Sequence, residues 1–228
     1  MHTDTDARRR VAPIRLPHAA PSGHEFDCDF LPTTHAVADL CRALAREASP
    51  RLDAALLEVR LRRYEWVFVA RRAGRVRAFL LGQTRVLDGH AFFYFGPLYS
   101  TEGAYLPLFA HALRATCASA PPFWLVAEIE RPRLRGLFTH LVPTSWPRAD
   151  APTPERVENA AIALASSLGH IEGLERSTLR TRCEQRFAQL VVAHAATSAD
   201  ATALVRSLDA GLAVLGAPAI APGRARLL

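Results

Sequence analysis

The sequence predicts an α/β fold in which one mixed sheet is flanked by helices. Three β-rich runs lie between residues 66 and 98, and Asp88-Gly89, which joins the last two, is a strong hairpin signal. On both sides of these runs the apolar residues recur at helical spacing instead. A fourth strand pattern at 124–129 follows a helix that is long enough to serve as a crossover. We therefore expect an antiparallel meander with a parallel crossover strand beside its third strand.

The elements before the meander are predicted to be a leader, one short strand and two helices. Residues 1–24 contain several prolines and no apolar periodicity, so we expect a flexible leader that folding does not require. The remaining residues, 25–228, are predicted to form a single domain. A strand is expected at 26–31. The predicted buried positions of the two helices are Val37, Leu40, Cys41 and Leu44 in the first, and Leu52, Leu56 and Val59 in the second, which Pro50 opens.

The later elements follow from the same two periodicities. Pro132 is expected at the start of a helix. The apolar patterns predict strands at 66–70, 76–86, 90–98 and 124–129, and helices at 106–117, 134–141 and 157–168. Beyond Gly173 the pattern weakens, so 174–228 remains a poorly assigned C-terminal part. Its segments are predicted to be helical at 179–194 and 200–211 and extended at 224–228.

Composition and charge exclude several classes of protein. Half of the 228 residues are hydrophobic, yet no apolar run approaches the roughly 18 residues of a membrane span. Arg8-Arg9-Arg10 is followed by charge and proline rather than by a hydrophobic region, so we expect a cytoplasmic protein. The net charge is +6, but all 28 basic residues are arginines spread along the whole chain. This pattern is typical of a GC-rich, bacterial-like codon bias and argues against nucleic-acid binding.

The cysteines and histidines show neither a disulfide pattern nor a metal-binding pattern. The four cysteines, Cys28, Cys41, Cys117 and Cys183, are widely separated and are most simply buried, reduced thiols. The nine histidines do not cluster at the spacing of metal ligands, so we expect no metal.

One strand break carries the resemblance of this chain to a known family. Pro97, in Phe95-Gly96-Pro97, has no backbone N–H and cannot complete a ladder with a neighbouring strand. Together with the order β-α-α-β-β-β-α-β-α over about residues 26–141, this break resembles the GNAT superfamily of acetyltransferases. The resemblance implies that the strands at 90–98 and 124–129 splay apart and hold the pantetheine arm of acyl-CoA between them. The alternative is that Gly96-Pro97 simply ends an edge strand.

The same resemblance places a cosubstrate, acetyl-CoA or another acyl-CoA, along the segment after the break. Its pantetheine would pair with the backbone there and its pyrophosphate would lie at the next helix start, and the residues implied are Gly96, Pro97, Leu98, Tyr99, Ser100, Thr101 and Gly103. Of the family's Arg/Gln-x-x-Gly-x-Gly/Ala loop only Gly103-Ala104 remains, and the carboxylate of Glu102 would repel a pyrophosphate. The alternative is an ordinary helix start, where Glu102 suits the positive end of the helix dipole.

Three residues are candidates for the chemistry. Glu128 and Glu130 lie at i and i+2 of a strand, so they share one face, and a carboxylate beside an apolar cleft is the best available base. The alternative is that both lie at the exposed strand end and pair with the arginines that follow. Tyr99, just past the strand break, is available to donate a proton to a leaving thiolate or to hydrogen-bond a carbonyl. In many GNAT enzymes a tyrosine on the helix after the last central strand does so, and this chain has Phe138 at that turn.

These observations predict a GNAT-like acyltransferase that moves an acyl group from acyl-CoA to an amine of a small molecule or a peptide. The alternative is a catalytically degenerate GNAT-fold module that binds a small molecule or a protein partner. Glu102 and Phe138 favour the module, whereas the order of the elements favours the enzyme.

Overall fold

The strand and helix signals of the sequence are realised in a mixed sheet with helices on both faces. The computed structural model describes residues 26–48, 53–101, 104–183 and 186–215. These residues form strands β1 (Asp27–Pro32), β2 (Trp66–Arg72), β3 (Arg75–Leu87), β4 (His90–Ser100), β5 (Phe123–Ile129), β6 (Ile171–Glu175), β7 (Arg180–Cys183) and β8 (Arg186–Ala195). They also form helices α1 (His35–Ala48), α2 (Ala54–Arg63), α3 (Tyr105–Cys117), α4 (Pro132–Leu141), α5 (Glu155–Leu168) and α6 (Ser198–Val214). Within these ranges, every helix is too short or too polar to traverse a lipid bilayer.

All eight strands join one sheet, in the order β1-β2-β3-β4-β5-β8-β7-β6. β4 and β5 run parallel, and every other neighbouring pair is antiparallel. Asp88 and Gly89 close the β3–β4 hairpin with positive φ angles, as a two-residue turn of this kind requires. Helix α3 provides the crossover between the parallel strands. The predicted fold class, an antiparallel meander plus a parallel crossover strand flanked by helices, is confirmed.

Successive side chains of the central strands point to opposite faces of the sheet, so the core has two layers. In β4, Phe93 and Phe95 belong to the layer of α3, α4 and α6, whereas Phe92 and Tyr94 belong to the layer of α1, α2 and α5. Each of these four side chains is at most 3% exposed. Burying one large apolar side chain stabilises a fold by about 1.5–3 kcal/mol. β4 is therefore held firmly on both faces, and its carboxyl end extends from a rigid centre.

Two predicted buried positions in the first helices are wrong. Leu40 of α1 is 43% exposed and Val59 of α2 is 38% exposed. Helix α2 begins at Ala54, later than the predicted start at Pro50, and the side chain of Asp53 caps it by accepting a hydrogen bond from the backbone N–H of Ala55. The capped helix turns a different face to the sheet, and its buried residues are Leu57, Arg60 and Leu61.

The prediction of a helix at 179–194 is also wrong, because these residues form the hairpin of β7 and β8. Residues 190–193 are buried on both faces of the sheet, and such a run has no period that distinguishes a strand from a helix. The predicted helix at 200–211 is confirmed by α6, which begins with a capping box between Thr197 and Asp200. Other predictions concern positions outside the described residues, namely the leader 1–24, Pro50, Leu52 and the strand at 224–228.

The cysteines whose side chains are described are buried thiols. Cys28, Cys41 and Cys117 form no disulfide. Burial raises the pKa of Cys41 and of Cys117 to about 12. Both therefore remain protonated at neutral pH and are poor nucleophiles.

A buried histidine on α3 makes stability depend on pH. Burial, reinforced by the charge of Arg114, lowers the pKa of His111 from 6.5 to about 4. Between these pH values the unfolded chain binds a proton that the folded chain does not, so stability falls as the pH drops. We expect this loss to amount to about 2–3 kcal/mol between pH 7 and about pH 4.5, and His111→Leu to remove it. Urea unfolding at both pH values measures the difference, with exposed His140→Gln as the charge control.

Candidate active site

The ladder between the two parallel strands ends before the strands themselves do. β4 pairs with β5 from the Ala91–Phe123 pair to the Phe95–Ala127 pair. Beyond that point, residues 98–100 of β4 pair with β3, and residues 128–129 of β5 pair with β8. The two strands therefore diverge at their carboxyl ends, which is the arrangement that the resemblance to GNAT proteins implies.

A bulge in β4 marks the point of divergence. The β3–β4 register shifts here, so that Gly96 and Pro97 together lie opposite the single residue Leu81. β4 continues past the bulge to Ser100, so Gly96-Pro97 does not end the strand. A Cβ atom on Gly96 would lie 2.4 Å from ring carbons of Tyr64. Glycine is thus the residue that lets this ring cover the backbone at the bulge.

Glu128 lies at the divergence point and is anchored to an aromatic cluster in the layer of α1, α2 and α5. The hydroxyl of Tyr94 donates a hydrogen bond to Oε2 of Glu128. The ring of Tyr64 stacks on that of Tyr94, with centroids 6.1 Å apart and an interplanar angle of 7°. His170 meets both rings edge-on, at 6.3 and 5.8 Å. A partly buried carboxylate in largely apolar surroundings is the arrangement that a general base needs.

Arg60 of α2 bridges the two diverging strands. Its Nη1 donates a hydrogen bond of 2.5 Å to the hydroxyl of Tyr99 on β4, and its Nη2 lies 3.8 Å from Oε1 of Glu130, just beyond β5. Arg60 is only 6% exposed, and a buried charge is costly unless it is paired and hydrogen-bonded. The structure thus brings two predicted site residues, Tyr99 and Glu130, to one buried guanidinium. Tyr99 also stacks on Phe79, at 4.7 Å.

The loop between β4 and α3 is described only in part. The backbone N–H and the hydroxyl of Thr101 both donate to the carbonyl oxygen of Arg77, over 2.8 and 3.2 Å. The hydroxyl of Ser100 donates to the carbonyl oxygen of Thr101. These bonds fix the loop as it leaves the sheet. Glu102 and Gly103, on which the pyrophosphate expectation depends, lie outside the described residues.

Helix α4 follows β5 and has Phe138 at the turn where many GNAT enzymes have a tyrosine. This side chain packs in the core and cannot donate a proton. The side chain of Phe138 is fully buried, and its ring packs against Phe109 at 5.5 Å. His140 is exposed. The side chains that sequence reasoning missed at this site come from other elements, and they are Arg60, Tyr64 and His170.

Comparisons with known proteins bear on the fold. No protein-family model matches the chain, and no curated protein does. Among solved structures, an aminoglycoside acetyltransferase from an uncultured soil metagenomic sample is 14% identical, with 38% of this chain matched to 66% of that chain and a TM-score of 0.29. Naa50 from Arabidopsis thaliana, with a bisubstrate analogue, is 8% identical over 73% of this chain and 97% of its own, with a TM-score of 0.43. An IAA acetyltransferase from Bacillus cereus is 10% identical over 75% and 100%, with a TM-score of 0.40.

The class of fold is defined by the chain's own topology. The order of the elements from β1 to α4, the single parallel pair β4–β5 and the bulge at the divergence of that pair are together those of a GNAT-like fold. The solved structures are 8–14% identical to this chain, so their similarity concerns the fold and not the activity.

Proposed function

We propose that this protein transfers an acyl group from an acyl-CoA to an amine of a small molecule or a peptide. The observation that carries the proposal is the divergence of β4 and β5 at the Gly96-Pro97 bulge. Along residues 98–100, the side of β4 that faces away from β3 has no neighbouring strand in the described sheet. The amides of pantetheine are suited to such an edge, because they can pair with it as a strand would. The pyrophosphate then lies near Ser100, Thr101 and Gly103.

In this proposal Glu128 acts as the general base. An amine is protonated at neutral pH, so its nitrogen must lose a proton before it attacks the thioester carbonyl carbon. The Glu128 carboxylate takes that proton. The new C–N bond forms, the C–S bond breaks, and the CoA thiolate leaves. The hydrogen bond from Tyr94 holds the carboxylate in place during this exchange.

Tyr99 is the proposed acid that protonates the thiolate. Its oxygen accepts a hydrogen bond from the guanidinium of Arg60, and this contact fixes the position of the hydroxyl. The positive guanidinium also stabilises the negative charge that stays on the tyrosine oxygen after the transfer. Glu130, which lies near the same guanidinium, balances the charge of Arg60. Tyr99 therefore serves the purpose that a tyrosine at the position of Phe138 serves in many GNAT enzymes.

The test is amine-dependent release of CoA. The purified chain is incubated with acetyl-CoA or longer acyl-CoAs and a panel of small-molecule and peptide amines, and the acylated product is identified by mass spectrometry. We expect Tyr99→Phe to lower turnover by roughly tenfold to a hundredfold and to leave the KM for acyl-CoA nearly unchanged. No turnover with any acyl-CoA and amine would favour the non-catalytic binding module, and amine-independent hydrolysis alone would contradict transfer to an amine.

A further inference from the structure

A second groove runs away from β4, between α4 and the β7–β8 hairpin. It begins at the end of β5, and the residues that line it include Ile129, Glu130, Arg135, Arg180, Phe187 and Gln189. Apart from Glu130, which balances the charge of Arg60, none of these side chains takes part in the base or acid steps proposed above. The groove is therefore a separate feature that needs its own explanation.

The guanidinium of Arg135 is held in a fixed direction. Its Nη1 donates a hydrogen bond to Oε1 of Gln189, and Nε2 of Gln189 donates to the carbonyl oxygen of Thr178. Gln189 is only 9% exposed, so this chain of hydrogen bonds is anchored in the sheet. A guanidinium has five N–H donors in a planar fork. Most of the donors of Arg135 thus face the groove or solvent.

Arg180 adds a second positive charge to the same groove. It lies directly opposite Gln189 in the β7–β8 register, and paired residues of neighbouring strands project to the same face. In the part of the chain that the structure describes, no carboxylate forms an ion pair with Arg135 or Arg180. The carboxylate of Glu130 lines the groove, but it lies near the guanidinium of Arg60. The lining therefore carries two arginines against one shared carboxylate. Glu175 lies opposite Arg180 in the β6–β7 register, but its carboxylate accepts a hydrogen bond from the hydroxyl of Thr178.

An aromatic side chain forms part of the groove wall. Phe187 is 74% exposed, although water contact with so large an apolar surface is unfavourable. The guanidinium of Arg182 lies 5.0 Å from the centre of the ring, within cation–π range. The ring thus offers a flat apolar surface beside the positive charge of Arg182.

We propose that this groove is a binding site for a flat organic anion, a ring that carries a carboxylate or a phosphate. Arg135 and Arg180 would bind the anionic group with charge-assisted hydrogen bonds, and Phe187 would stack on the ring. The site extends to the side of β5 that faces away from β4, and it shares only Glu130 with the residues assigned above to the acyl-CoA cleft.

Titration with three probes tests this proposal, namely benzoate, phenyl phosphate and the neutral benzamide, followed by amide chemical shifts in NMR. We expect both anions to bind and benzamide to bind at least roughly tenfold more weakly. Arg135→Gln/Arg180→Gln should weaken anion binding by roughly tenfold or more. The control Arg75→Gln/Arg206→Gln makes the same charge change at two exposed positions elsewhere and should change affinity by less than about twofold. Glu130→Gln should strengthen binding, because it removes the carboxylate from the lining.

The tighter of the two anions identifies the charged group that the site prefers. Equal affinity for benzamide and benzoate would overturn the proposal, as would equal effects of the two double variants. The probes are also titrated with acetyl-CoA present at saturation. Unchanged affinity supports a separate site, whereas competition would show that the groove binds the phosphates of CoA and would overturn the inference.

Discussion

Replacement of Gly96 with alanine is expected to lower the free energy of unfolding by about 2–3 kcal/mol, the usual cost of overpacking a core. The new Cβ would lie 2.4 Å from Cε1 and Cζ of Tyr64 and 2.5 Å from its hydroxyl oxygen. Tyr64 is only 3% exposed and stacks on Tyr94, so its ring has little room to move aside. Denaturant unfolding followed by circular dichroism measures the change. The same variant should lose acyl-CoA binding, since the bulge backbone must shift.

Two controls separate this clash from the general effect of adding a methyl group. Gly136 lies in α4 with nothing within 4 Å of a Cβ, so Gly136→Ala should stabilise the protein by about 0.5–1 kcal/mol. In a Tyr64→Leu background, Gly96→Ala should cost less than about 1 kcal/mol, because the ring that the methyl group strikes is gone. An equal cost in both backgrounds would show that Tyr64 does not constrain the bulge.

Replacement of Glu128 with glutamine is expected to lower kcat by roughly a hundredfold or more, the usual contribution of a general base. Glutamine keeps an oxygen that accepts the hydrogen bond from Tyr94 but cannot take a proton. The residual activity of Glu128→Gln should rise steadily with pH, because the free amine then forms without a base. Steady-state rates between about pH 6 and pH 10, for wild type and variant, measure this profile.

Glu130→Gln is the matched control for the base, because Glu130 is the other predicted carboxylate of the pair. Its partner is Arg60 rather than Tyr94, and we expect kcat to stay within about tenfold of wild type. Should Glu130→Gln lose the activity while Glu128→Gln keeps it, the two assignments would be exchanged. Should both variants keep full activity and the same pH profile, neither carboxylate would be the base.

The parts of the fold that could be predicted carry local signals. Asp88-Gly89 requires positive φ angles and therefore identifies a hairpin from two residues. Pro97 lacks a backbone N–H and therefore marks the place where the β4–β5 ladder ends. The crossover strand followed from the length of the helix before it. Each of these features is decided by the backbone chemistry of a few neighbouring residues.

The hairpin of β7 and β8 could not be predicted, because its signal is not local. Its strands are stabilised by the neighbouring sheet, with β8 buried between β5 and β7. A segment that is buried on both faces has the same apolar composition as a buried helix. The Phe187 side chain and the groove that it lines were missed together with the strand that carries them.

The residues of the candidate site that could be predicted are those that lie on or next to strands. The strand period of two identifies Glu128 and Glu130, and the strand break identifies Tyr99. Their partners come from elsewhere in the chain. Arg60 carried a signal, since it is a charged residue between Leu57 and Leu61 on the buried face of α2. That signal was lost because the wrong face of α2 was predicted to be buried.

Acyl-CoA is proposed to lie along β4 beyond the bulge, and amide hydrogen exchange reports on this contact with the backbone. Exchange is measured by mass spectrometry with and without saturating acetyl-CoA. We expect slower exchange in peptides that cover residues 98–101, where bound pantetheine shields the strand edge. Residues 91–95, which already pair with both neighbouring strands, should be unchanged. Saturable binding of acetyl-CoA without protection at 98–101, or no binding at all, would contradict this placement of acyl-CoA.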